Sequence, residues 1–107
     1  MLTTGQIIKC YREGVEIKFK RKRCEQGWKG EYNPSSLEIL IYMPEIEGQG
    51  DRDLTILHEF AHAVEDCNLS AARSLDFEDE YYEEIAIKTY CKKPWILEFI
   101  KELYDIT

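Results

Sequence analysis

The sequence predicts an α+β domain, a small and mostly antiparallel sheet of about three strands packed on a long buried helix, an acidic helix and a C-terminal helix. Three observations predict it. Apolar and charged residues alternate with period two from Val15 to Lys20. Gly27, Gly30, Asn33-Pro34 and Pro44 then punctuate short apolar runs. Beyond Gly50 the apolar residues recur at helical spacing instead. Strands first and helices after is the order of an α+β fold. A length of 107 residues points to one domain over residues 1–107, and a composition 44% hydrophobic and 12% aromatic suits a folded core.

Each element has its own reason. Ile7, Ile8 and Tyr11 share one helical face, so Gln6 to Glu13 reads as a short helix, with a first strand as the alternative. Val15, Ile17 and Phe19 alternate with Glu16, Lys18 and Lys20 as a half-buried strand. Trp28 to Tyr32 is a second strand, and Asn33-Pro34-Ser35-Ser36 a turn. Leu37 to Met43 forms a third strand that ends at Pro44, which cannot donate to a ladder. A helix begins near Asp51 or Asp53, either able to cap it, and runs to about Cys67. A second covers roughly Phe77 to Lys92. Pro94 suits the first turn of a last one, roughly Pro94 to Tyr104.

A net charge of −7 argues against nucleic-acid binding, which needs a basic face. The one basic run, Lys18 to Arg23, reads as the solvated face and end of a strand. No apolar run reaches membrane-spanning length and no signal peptide is visible, so a cytoplasmic location is expected, with no membrane partner. Cys10, Cys24, Cys67 and Cys91 contain no Cys-x-x-Cys pair and read as reduced thiols.

The chemistry concentrates in His58-Glu59-Phe60-Ala61-His62, which holds the only two histidines of the chain. Residues four apart on a helix point the same way, so both imidazoles can reach one metal ion. Glu59 lies round the helix from His58, near enough to touch a metal-bound water but badly placed as a ligand. Leu54, Leu57, Ala61 and Val64 form an apolar stripe, and Ile56, Phe60 and Ala63 cover much of the other side, as in a buried helix.

A catalytic zinc takes three protein ligands and a water. Glu65 and Asn68 stand where a Gly and a third His would complete the longer histidine motif, so the third ligand must come from elsewhere. The acidic run from Glu78 to Glu84 is the obvious source. On a wheel of roughly 100° per residue, Glu83 falls beside Ala86 and Tyr90, near the buried face. Small Ala86, one turn later, lets the helices approach closely. Glu83 is favoured over Glu80 and Glu84, while Glu78, Asp79 and Glu84 read as a solvated face. Cys67 faces away from both histidines, and Cys91 lies well round from the Glu83 side.

These residues resemble the gluzincin clan of metallopeptidases. The short length and the sheet-then-helices layout are most similar to the minigluzincins, the minimal soluble members with a zincin-like fold. The resemblance implies one Zn²⁺ ion held by His58, His62 and Glu83, with Glu59 as general base in the hydrolysis of a peptide or protein substrate. Tyr81, Tyr82 and Tyr90 are candidates to stabilise the tetrahedral intermediate. Family members are known in latent forms, which here would place some part of residues 94–107 across the cleft; a packed third helix is the plainer reading. In related folds an edge strand pairs with the substrate, and Leu37 to Ile41 or Trp28 to Tyr32 would serve. The alternative function is a non-catalytic, metal-stabilised binding or regulatory module, since small domains often need a staple. A general base and the lack of an obvious fourth ligand favour the enzyme.

Overall fold

The computed structural model describes residues 1–68 and 79–107. It is an α+β domain with a three-stranded mixed sheet and four α-helices: α1 (Thr4–Glu13), β1 (Glu16–Lys20), β2 (Gly30–Asn33), β3 (Glu38–Tyr42), α2 (Gln49–Asn68), α3 (Asp79–Lys92) and α4 (Pro94–Leu103). The first segment is the helix, not the strand. Thr3 and Gln6 close a reciprocal capping box at its start, and Gly14 ends it at φ 98°, where a side chain would be strained.

The sheet corrects the expectation of a mostly antiparallel arrangement. Its order is β1-β3-β2, with β1 parallel to β3 and β2 antiparallel to it. The physical reason lies in the strand sequences. β3 carries the run Ile39-Leu40-Ile41, and Ile39 and Ile41 are fully buried, so it takes the centre. β1 and β2 carry Lys18, Lys20 and Glu31 and take the edges, where charge protects an unpaired backbone. Residues 21–29 therefore cross the end of β3 instead of closing a hairpin. Lys18 of the basic run pairs with Glu38, and Arg23 with Glu45 at 2.9 Å, as a solvated strand face would.

α2 lies at the middle of the domain, packed against α1, α3, β2 and β3. It starts at Gln49, before either aspartate expected to cap it. Asp51 sits in the first turn, and its carboxylate accepts from the Glu47 backbone N–H at 2.8 Å. Asp53 is buried and pairs with Lys101 of α4 at 3.2 Å. Ile56, Leu57, Phe60 and Ala63 are fully buried, joined by Ile7 and Cys10 of α1, Ala86 of α3 and Ile96 and Ile100 of α4. The expected start of the second helix at Phe77 and the solvated place of Glu78 lie outside the described residues.

The C-terminal segment is part of this core. Ile96, Leu97 and Ile100 are buried, and Tyr104 donates its hydroxyl hydrogen to the Val15 carbonyl at 2.9 Å. The four cysteines are all free thiols. No helix among the described residues is long and apolar enough to cross a membrane.

Candidate metal centre

β2, α2 and the first turns of α3 enclose a cleft of about 520 Å³. Its α2 wall is Asp51, Leu54, Thr55, His58, Glu59 and His62, a strip at three- and four-residue spacing on the face turned from the α1–α4 core. Trp28 to Tyr32 form the opposite wall, and Asp79 and Glu83 close the side.

The two walls touch where Gly30 stands. A Cβ there would lie 2.8 Å from Thr55 Cγ2, 3.0 Å from the Leu40 carbonyl oxygen and 3.2 Å from Glu59 Cγ. Glycine lets the β2 backbone descend onto α2 beside Glu59. It also helps to bury Glu59, which is only 6% exposed.

The structure brings His58 and His62 together with ring centroids 5.1 Å apart. One carboxylate oxygen, Asp79 Oδ1, lies 3.6 Å from His58 Nε2 and 3.8 Å from His62 Nε2. The donor atoms of these three residues all fall within 4.8 Å of one another. Bonds of about 2.0–2.1 Å to a tetrahedral ion put neighbouring donors roughly 3.4 Å apart, so the His-His-Asp group fits a small divalent metal with little adjustment.

Glu83 also reaches the site, at a different atom. Its Oε2 is 2.8 Å from His58 Nδ1. A carboxylate only accepts, so this contact fixes the proton on Nδ1 and leaves the Nε2 lone pair bare, as in carboxylate–histidine–metal arrangements. Asp79 is exposed, as its assignment to a solvated face requires, and its carboxylate nonetheless reaches both Nε2 atoms. Asp79 and Glu83 are one helical turn apart, so the wheel argument that selects Glu83 selects Asp79 as well. That shared face was the signal by which Asp79 could have been found.

Burial pushes His62 down to about 4, and the neighbouring His58 acts in the same direction against Asp79. His62 is thereby kept neutral, the form that ligates metal. Its ring stacks on that of Tyr82 with centroids 3.7 Å apart, which fixes the imidazole plane. Burial pushes Glu59 up to about 8, with Asp79, Glu31 and Glu83 adding to it. Glu59 makes no hydrogen bond or ion pair among the described residues, so its carboxyl stands in the cleft without a protein partner.

The three expected tyrosines do not line the cleft. Tyr82 lies behind His62, Tyr81 packs edge-on against Tyr82 at 5.2 Å, and Tyr90 lies near Gly50 at the start of α2. The tyrosine that does line it is Tyr32, whose hydroxyl donates to Asp66 at 2.7 Å. Cys67 and Cys91 are absent from the lining, as expected from their helical positions. No described residue of 94–107 lines it either, which favours the packed helix over a segment lying across the cleft. Comparison with protein-family models, curated proteins and solved structures returns no match, and no family is assigned to the chain on that ground.

Proposed function

We propose that the chain is a metal-dependent peptidase with a minimal zincin-like architecture, acting at the cleft between β2 and α2. The observation that carries this reading is the convergence of His58 Nε2 and His62 Nε2 on one Asp79 oxygen, beside a buried glutamate without a partner. A structural metal site closes its coordination with protein ligands and has no use for such a glutamate.

His58 and His62 would hold the ion, with a carboxylate of α3 as third ligand. The resemblance names Glu83 for that place; the distances to both Nε2 atoms favour Asp79, with Glu83 orienting His58. A bound divalent metal supplies Lewis acidity to a substrate carbonyl and lowers the pKa of water. Glu59, in the cleft beside the histidines, would accept the proton of the attacking water and hand it to the leaving amine. Tyr82 holds the His62 ring, and Glu83 the His58 ring, so that neither rotates during the reaction.

The cleft wall offers a place for an extended peptide. β2 pairs with β3 along one side only, and its outer edge is unpaired by any other strand among the described residues. β3 is paired on both sides, which removes Leu37 to Ile41 from the two edge strands considered and leaves Trp28 to Tyr32.

The test has two arms. Zinc content measured by atomic absorption should fall in His58→Ala and His62→Ala. Asp79→Ala and Glu83→Ala then separate the two carboxylates: loss of stoichiometric zinc in the first, with weakened binding in the second, assigns Asp79 as ligand. Cleavage of a peptide library by the zinc-loaded chain, absent in Glu59→Gln with zinc retained, supports the enzyme. Full activity in Glu59→Gln would sink it.

A further inference from the structure

The chemical character of the cleft goes beyond its reaction. Five of its described lining residues are carboxylates, Glu31, Asp51, Glu59, Asp79 and Glu83, and one is a cation, Lys29. Lys29 Nζ lies 3.0 Å from Asp51 Oδ1, so its charge is compensated within the wall. A divalent ion would offset Asp79 and Glu83 beside it, while Glu31 has no Lys or Arg ion-pair partner among the described residues. A cleft of low-dielectric walls lined by one sign of charge concentrates ligands of the other sign.

Two further features belong to the same cleft. Glu59 is 6% exposed and makes no hydrogen bond or ion pair among the described residues, and it lines the cleft, so a polar group is turned to whatever enters. Trp28 lines the cleft just before β2 and is 51% exposed, two residues from the glycine that touches α2. An exposed indole beside carboxylates is the pairing that binds guanidinium and ammonium groups, by cation–π attraction on the ring face and by charge at the rim. Glu31 follows Gly30 on the same strand, and its Oε1 accepts the Tyr42 hydroxyl hydrogen at 2.6 Å, which holds the carboxylate in place.

We propose that the cleft selects peptides carrying a cationic side chain, arginine above lysine, close to the bond that is cut, with Trp28 and Glu31 as the residues that determine this preference. The inference rests on the peptidase reading for the word "cut" and on the cleft's own composition for the cation. Arginine is favoured over lysine because its planar guanidinium stacks on an indole and accepts two-point pairing with a carboxylate.

The experiment uses the zinc-loaded chain and quenched fluorescent peptides of one sequence, in which a single position is swept past the cleavable bond as arginine, citrulline or glutamate. Citrulline keeps the shape and removes the charge. The expected kcat/KM is about tenfold higher for arginine than for citrulline, and the ratio contracts as salt is raised from about 50 to about 500 mM. Trp28→Leu and Glu31→Gln each shrink the arginine-to-citrulline ratio. Equal kcat/KM for the two peptides, or a preference for glutamate, overturns the proposal. Zinc-loaded Glu59→Gln supplies a second readout, by fluorescence anisotropy with the same peptides. Tighter binding of the arginine peptide there, with no cleavage by the unaltered chain, upholds the cationic ligand and removes the peptidase reading. Absence of binding to any of the three peptides, or equal binding, overturns the inference itself.

Discussion

The two faces of α2 carry opposite kinds of polar chemistry. On the α1–α4 side, every buried polar group is matched. Asp53 pairs with Lys101 and Arg52, Thr89 donates to the Ile85 carbonyl at 2.7 Å and accepts the Leu2 N–H at 3.0 Å, and Tyr104 ties α4 to Val15. On the β2 side, the same helix turns Asp51, His58, Glu59 and His62 to the cleft, and Glu31, Asp79 and Glu83 line its other walls. Glu59 is 6% exposed with no hydrogen bond or ion pair among the described residues, and burial holds His62 neutral. Polar groups drawn out of water without protein partners are unfavourable for folding. Their confinement to one face sets the half of the domain that supplies stability apart from the half whose polar groups stand open to a cleft.

The largest expected effect breaks the ligand-facing half and leaves the other intact. Glu59→Gln lowers peptide hydrolysis by about 10²–10⁴, the usual contribution of a general base, while thermal unfolding shows the domain still folded. Next comes the stability half. Asp53→Ala removes the buried partner of the half-buried Arg52 and Lys101, leaves Lys101 only the exposed Glu98 at 3.8 Å, and costs about 3 kcal/mol, read as a lower urea midpoint with zinc affinity per folded molecule unchanged. A loss of zinc affinity without a loss of stability would show that the two faces are not separable.

Gly30→Ala tests the seam between them. Its Cβ meets Thr55 Cγ2 and the Leu40 carbonyl, both in packed elements that give little, so about 1–3 kcal/mol of stability is lost and β2 is pushed from Glu59. Turnover should fall in proportion greater than stability, compared by kcat/KM at a temperature where the variant is fully folded. The smallest effect is at the α2 N-terminus. The Glu47 N–H, followed by Lys29, holds the Asp51 carboxyl below its ordinary value of 3.8. A depressed carboxyl stabilises the fold above its unfolded value, and that contribution is lost as pH falls through its folded value. The stability gap between the unaltered chain and Asp51→Asn should therefore narrow as the pH is lowered from 5 toward 3, measured by urea midpoints.

Much of this comparison was legible in the sequence. The buried helix followed from apolar residues on both of its sides, and the facing of His58 and His62 followed from their spacing alone. The helix wheel brought Glu83 to the site. It could not rank Asp79 against it, because residues one turn apart share a face and only the crossing of α3 over α2 decides which carboxylate meets Nε2 and which meets Nδ1. The tyrosines escaped for a related reason: periodicity shows that a ring is near an interface, not which side of a histidine it occupies. Asp53 was read as a cap because aspartate before a helix caps it; its partner Lys101 lies 48 residues away, a separation no local pattern contains.

By itself the sequence determined the α+β class, the long buried helix and the pairing of the two imidazoles on it, since each depends on contacts within a few residues and on repeats of fixed period. Tertiary structure alone decided the mixed order of the sheet, the descent of β2 onto Glu59 through Gly30, the burial of α4 in the core and the gathering of carboxylates and Trp28 around one cleft. Those features depend on which strand takes the centre and how elements far apart in the chain cross, which is settled by burial of the most apolar strand and the closest tolerated approach of backbones.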